Sequence, residues 1–445
     1  MILTATVALF LAMMVFRVPI GFAMLAAGIV GLMLEGGVSL HIVVQRMYEG
    51  TNSFDLLAIP LFILAGQIMS SGSMTMRLVR WTTAIFGKVP AGTATVDVIA
   101  SMVFAGVSGS GTADMAAIGS VLIPRLVQRG YPRGVAAALE ACAGAIGPIL
   151  PPSLLMIIYA GLTDLSVGRL FLAGIVPGLV TGIGLIAVLQ VLNLRARWEP
   201  SEGGWPSGRE VWATTREAWP TLVIPLIIVG GIASGAFTPS EAGAIAVAYA
   251  IVAGLFLRDF TIAAFWRDLR DSTMTTVTVL FPVAAAALFG WLLALTQFGT
   301  YAVQGLLTLS GGSSILGAAI VVMVVMVLGA AIDGLAVMVA LASVLTPIGA
   351  SLGFDPVHWG LVMVLTINLA GIMPPHGVGL FLCSAMAKCS FEETCRHLLP
   401  FFLVMLGVTL LSMLFPDVVM WLPDRFFDRG VVAGIGLVAS EPWPG

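Results

Sequence analysis

Apolar positions along this chain run on for roughly 15 to 30 residues at a time. They show neither the alternation of a half-buried strand nor the polar face of a surface helix, so the elements predicted are membrane helices. The runs fall near 1–15, 20–34, 55–71, 92–107, 113–128, 135–163, 169–194, 219–234, 241–257, 272–297, 301–330, 335–351, 357–389 and 397–416. A span needs about 20 apolar residues, or fewer where other protein packs around it, so several runs are too short to cross alone. The runs 92–107 and 113–128 are joined by Ser108-Gly109-Ser110-Gly111-Thr112, which is too polar to face lipid. Non-helical backbone survives at membrane depth only inside protein or beside water. This pattern predicts a re-entrant hairpin over about 92–128 whose tip reaches mid-membrane. A second hairpin is predicted over about 314–351, with its tip at Ala331-Ile332-Asp333-Gly334. The long runs 135–163 and 357–389 are each broken by a proline pair, Pro151-Pro152 and Pro374-Pro375, and predict two discontinuous helices.

These interruptions keep one register. The proline pairs lie 223 positions apart, and the same offset relates Pro124 to Pro347, Gly130 to Gly353 and Ser110 to Asp333. Paired broken helices at matching places in two halves are the sequence mark of a transporter with its site between repeats. Basic residues set the orientation. Arg77, Arg80 and Lys88 precede the first hairpin and Arg125, Arg129 and Arg133 follow it, so it enters from the cytoplasm. No Lys or Arg occurs between Arg270 and Lys388, so the second hairpin enters from outside. The predicted fold is an all-α polytopic membrane protein made of inverted repeats. Residues 1–194 form the first repeat, 195–218 a cytoplasmic linker, 219–416 the second repeat and 417–445 a C-terminal tail. Arg46, Arg169, Arg425 and Arg429 are the exceptions to the charge rule. The first run lacks a basic leader and a clear cleavage site, and is read as a retained span.

Composition agrees with a bilayer: mean hydropathy is +1.06, 59% of residues are hydrophobic and 10% are charged. The 20 Lys and Arg residues are scattered through loops, which argues against a nucleic-acid surface. Cys142, Cys383, Cys389 and Cys395 show no paired spacing and indicate neither zinc nor a disulfide framework. There is no HExxH zinc motif and no phosphate-binding loop.

Candidate chemistry gathers at the tips and breaks. Carbonyls and hydroxyls freed there suit a hard cation such as sodium, and helix N-termini suit a carboxylate. A first cation site would draw on Ser108, Gly147, Leu150 and Pro152. A second would draw on Asp333, Asn368, Gly371, Met373 and Pro375. Ser110, Thr112, Asp114, Ser153 and His376 are the candidate substrate contacts. Asp114 has two readings, a contact to cation or substrate and a cap for the second hairpin arm. Asp333 is similarly open. The Ser-Gly tip can be read as a plain flexible turn and the proline pairs as plain kinks. His376 can line the path, shuttle protons or simply pack. Glu140 ranks below Asp114. His41, His358 and His397 read as interfacial, as do Trp198, Trp205, Trp212 and Trp219. Pro239-Ser240-Glu241 reads as a helix start.

The segments Phe104-Ala105-Gly106-Val107-Ser108-Gly109-Ser110-Gly111-Thr112-Ala113-Asp114, Gly147-Pro148-Ile149-Leu150-Pro151-Pro152-Ser153 and Gly235-Ala236-Phe237-Thr238-Pro239-Ser240-Glu241-Ala242 resemble the large membrane subunit of tripartite ATP-independent periplasmic (TRAP) transporters, as does Leu56-Leu57-Ala58-Ile59-Pro60-Leu61-Phe62. The resemblance runs from Phe16-Arg17-Val18-Pro19 to about Pro416. It implies an elevator-type transporter of the bacterial inner membrane that takes up organic acids, such as dicarboxylates, with sodium ions at about two sites and no organic cofactor. It also implies a small four-span membrane subunit, here a separate chain, and a periplasmic substrate-binding protein. By matching motif, Ser108, Gly147, Leu150 and Pro152 resemble the first sodium site. Asp333, Gly371, Met373 and Pro375 resemble the second. Met373-Pro374-Pro375-His376 departs from the family's usual Thr before the prolines and Val after them. Two other readings stand beside this one. One is a single-component sodium–dicarboxylate symporter. The other is an intramembrane serine protease, suggested by Gly106-Val107-Ser108-Gly109 with His376 as base.

Overall fold

The computed structural model describes residues 2–36, 39–200, 203–204, 206–332, 334–375 and 377–428. Among them every regular element is a helix. The first ten are α1 (Ile2–Val15), α2 (Ile20–Glu35), α3 (His41–Thr51), α4 (Ala58–Ser71), α5 (Met74–Phe86), α6 (Gly92–Ser108), α7 (Gly111–Gln128), α8 (Arg133–Gly144), α9 (Leu154–Thr163) and α10 (Val167–Ala196). The remainder are α11 (Gly208–Ala233), α12 (Pro239–Phe256), α13 (Ile262–Leu295), α14 (Phe298–Leu309), α15 (Ser314–Ala331), α16 (Gly334–Ser351), α17 (Pro356–Ala370), α18 (Val378–Ala387), α19 (Phe391–Leu414) and α20 (Pro416–Pro423). Seven described helices are long and apolar enough to cross a membrane. Counting His41–Thr51 and Asp55–Ser71, bent by 67° at the break between them, as one broken segment gives an eighth.

Local chemistry sets the helix boundaries. Thr238 and Glu241 close a capping box at the start of α12, with Pro239 in its first turn. Asp355 caps α17 by accepting from the N–H groups of Val357 and His358, and Pro356 follows it. Gly111 and Gly334 begin α7 and α16, and Arg133 and Pro356 begin α8 and α17. Each pair keeps the offset seen in the sequence.

The two halves interlock. The first hairpin, α6–α7, packs on α8 of its own half and on α18 of the other. The second hairpin, α15–α16, packs on α17 and on α9. The inner pieces of the broken helices form the centre: the described residues of α8 from Gly134 to Gly144 and of α17 from Val357 to Ala370 are all buried. Outside them, α2, α3 and α4 pack on α13, and α4 packs on α12. Apolar side chains such as Ile183, Leu226 and Phe256 stay exposed on the periphery, as a lipid-facing surface requires. His358, expected at the interface, is instead 1% exposed. Its Nε2 lies 2.7 Å from the carbonyl of Ser412 in the last turn of α19, where helix carbonyls lack internal partners.

Candidate substrate and cation site

The first tip is a tight joint between two helices. Gly109 ends α6 with φ +63°, a region in which any side chain costs about 1–2 kcal/mol. A side chain there would also run into the carbonyl of Pro152. The N–H of Leu154 donates to the Gly109 carbonyl at 3.1 Å, so the tip is tied directly to the first break. Both proline pairs at the breaks are joined by cis peptide bonds.

Ser108 and Asp114 face each other across this tip. The Ser108 hydroxyl donates to one carboxylate oxygen of Asp114 and accepts the N–H of Ser110 at 3.2 Å. Asp114 is fully buried. Its second oxygen packs on Gly147 at a point where no side chain would fit, and it meets no hydrogen-bond donor among the described residues. Ser110, not Asp114, holds the cap position of α7. Asp114 lies in the first turn of α7, so both of its readings stay open.

At the break itself, the carbonyls of Gly147, Leu150 and Pro152 accept no hydrogen bond from any described residue. Gly147 and Pro152 are buried and Leu150 half-buried, and buried carbonyls are rarely left without a partner. Ser153 is committed elsewhere: its hydroxyl donates to the Pro148 carbonyl at 2.5 Å and caps α9 by accepting from Met156 N–H at 3.2 Å. In the second half, Asp333 and His376 lie outside the described residues. Gly371 caps α17. The carbonyl of Met373 accepts the N–H of Gly377 at 3.1 Å, whereas those of Gly371 and Pro375 accept none among the described residues. Pro375 lines a separate opening beside Arg17 and Ile332. Asn368 reaches across the halves, its Nδ2 donating to the carbonyl of Ala145 at 2.6 Å. These two residues are 223 positions apart, so the bond joins equivalent points of the two repeats.

The tips and breaks enclose a cavity of about 280 Å³. Ser110, Thr112, Asn368 and Gly371 line it, whereas Ser108, Asp114, Gly147, Leu150 and Pro152 do not. Four helix N-termini open onto it: α7 at Gly111, α9 at Leu154, α16 at Gly334 and α18 at Val378. Each carries roughly half a positive charge at its first turn. No Lys or Arg lines the cavity among the described residues. One wall comes from outside the repeats' hairpins, through Thr275 and Val279 on α13. The sequence did not single these out, because a threonine on a long apolar helix carries no local signal.

The sequence matches the family described as the DctM component of the tripartite ATP-independent periplasmic transporter over residues 7–418. The chain belongs to this family. It is 35% identical to the C4-dicarboxylate TRAP transporter large permease protein DctM of Pseudomonas aeruginosa, over 89% of this chain and 93% of that one. It is 33% identical to the 2,3-diketo-L-gulonate TRAP transporter large permease protein YiaN of Escherichia coli, over 92% and 96%. The isethionate TRAP transporter permease protein DctMQ of Oleidesulfovibrio alaskensis is 33% identical over 92% of this chain, which spans only 64% of that relative. The solved YdaH transporter of Alcanivorax borkumensis shares the fold, with a TM-score of 0.61 at 14% identity over 84% of this chain and 87% of that one. This TRAP large permease is thus a multi-pass membrane transport protein and not an enzyme.

Proposed function

We propose that this TRAP large permease carries a small organic acid across the bacterial inner membrane, driven by sodium. The observation that carries the proposal is the convergence of four helix N-termini on one small cavity that no Lys or Arg lines among the described residues. Backbone N–H groups and dipole ends bind carboxylates without a fixed counter-charge. The volume lies near the small end of the roughly 300–1,000 Å³ typical of ligand pockets, which favours an acid of few carbons. The relatives' names cite organic anions as well: C4-dicarboxylate, diketogulonate and isethionate.

Sodium has its own support. The Ser108 hydroxyl, the Asp114 carboxylate and the carbonyls of Gly147, Leu150 and Pro152 are the hard oxygen donors such a cation prefers. A cation there would draw tip and break together and set the N-terminus of α7 against the cavity. Gly371, Pro375 and Asn368, with Asp333, would serve a second site. In that site the Met373 carbonyl has to release Gly377 before it can act. The small membrane subunit and the periplasmic binding protein complete the transporter in this reading.

Uptake in proteoliposomes tests it. The chain is reconstituted with its small subunit under an inward sodium gradient, with and without the binding protein, and offered a panel of radiolabelled organic acids. Uptake that needs both sodium and the binding protein is expected. Sodium-driven uptake without the binding protein would instead make this a single-component symporter, and sodium-independent uptake would remove the cation sites.

A further inference from the structure

Glu140 on α8 and Asp97 on α6 are both fully buried in the first half, away from the cavity. Their carboxyl groups face each other within hydrogen-bonding reach. No side-chain donor reaches any of their four oxygens among the described residues, and the one backbone N–H in range of Glu140 is that of Gly119. That N–H belongs to the ladder of α7. The fit is close on that side, since a side chain at Gly119 would come within 2.9 Å of Glu140 Cγ. Ser101 lies one turn beyond Asp97 on the same face of α6, fully buried, and its hydroxyl too has no partner. The equivalent positions of the second half hold Ile320, Met363 and Val324. The acid pair is therefore not demanded by the repeat fold, which packs there with apolar side chains.

Two ionised carboxylates cannot sit together in an apolar interior without a cation or a donor. Such pairs hold one proton between them. The groups around this one supply no positive charge. Asp114 on α7, Cys142 on α8 and Cys383 on α18 are all acidic or neutral, and α4 carries no charged residue. On α19, Glu393 and His397 reach only Gly134, six residues or about 9 Å before Glu140. The charged residues of α5, α10 and α11 are not among the groups that act on the pair. A separate polar cluster lies near the pair, toward the face predicted to be cytoplasmic. Tyr131, in the loop before α8, lies in electrostatic range of Asp97, and its hydroxyl donates to Glu199 at 3.2 Å. Burial and the adjoining Glu199 push that hydroxyl's pKa up, so it stays a neutral O–H. Glu199 in turn meets half-exposed Arg129 at 3.7 Å.

We propose that Asp97 and Glu140 form a proton-binding site in the first half, holding one shared proton between them. The proton keeps α6 packed on α8. Its loss places two charges between the helices that carry the first tip and the first break. In its second arm, on uptake, this inference rests on the transport reading given above.

Infrared spectroscopy of the purified chain in detergent tests the site without any substrate. The wild type should show the C=O stretch of a protonated carboxyl at neutral pH, and the band should vanish in alkaline buffer. D97N/E140Q should lack it. A wild type without the band overturns the site. So does a band that persists in D97N/E140Q or is lost in D114N instead, and so does one removed by sodium but not potassium at constant pH, which would make the pair a cation site. In proteoliposomes, wild-type uptake should fall about tenfold per pH unit beyond its alkaline midpoint, and E140Q should flatten that fall. An E140Q profile identical to the wild type overturns the coupling to transport. If no acid on the panel is taken up at all, the transport reading fails and the infrared result still decides the proton site.

Discussion

At the scale of single residues, the site depends on what Asp114 does with its two oxygens. One takes the Ser108 hydroxyl; the other packs on Gly147 at the break. A buried carboxylate held this way is costly unless a cation completes it. Asp114→Ala should abolish uptake while leaving the chain inserted in the membrane, which surface biotinylation and detergent gel filtration would check. Ser108→Ala removes a hydroxyl hydrogen-bonded to a charged group, an interaction worth about 1.5–3 kcal/mol. It should raise the sodium concentration for half-maximal uptake roughly 10- to 100-fold. Unaltered sodium dependence in both variants would remove these residues from the site. Asp114 stood out in the sequence because it follows a polar tip in an apolar run. Asp97 did not, although it is as deeply buried. A lone acid inside an arm read as apolar has no neighbouring break to draw attention, and only the packing of α6 on α8 brings it to Glu140.

Whole elements were more legible than their contacts. The two hairpins and the two broken helices could be placed because their signals are local: glycine and serine at a tip, paired prolines at a break. What could not be read was which piece packs on which, since α7 lies against α18 and α16 against α9, each from the opposite half. Ser153 shows the same limit. Its position after the prolines suggested a substrate contact, but its hydroxyl is used to close the break and cap α9. Gly109 offers a test at this scale. Gly109→Ala adds the left-handed penalty, about 1–2 kcal/mol, to a collision with the Pro152 carbonyl. It should loosen the first tip, read as faster hydrogen exchange over residues 105–114 and a fall in uptake. Gly353→Ala is the control: its φ is +81° but nothing stands within 4 Å of the added carbon. It should cost stability alone and leave uptake near wild type. Equal behaviour of the two variants would mean that the contact between tip and break does not matter for transport.

For the whole molecule, the packing divides into an inner set and an outer set, and the cavity lies between them. Hairpins and broken helices form the inner set, interlocked across the repeats and joined by the bond from Asn368 to Ala145. The long helix α13 belongs with α2, α3 and α4, yet it supplies Thr275 and Val279 to the cavity wall. A carrier that moves its substrate by sliding one set past the other must break the contact between α13 and the tips, while keeping the interlock within the inner set. Cysteines at Thr275 and Thr112, in a background without the four native cysteines, place one thiol on each side of that boundary. Bridging them with a short bifunctional reagent should reduce uptake to background, and cleaving the bridge should restore it. A second pair at Leu155 and Leu335, both on inner helices lining the cavity, should tolerate the same bridge with uptake retained. Uptake that survives a completed bridge between Thr275→Cys and Thr112→Cys would mean that the two sets do not move past each other, and that the substrate crosses by local opening of the tips.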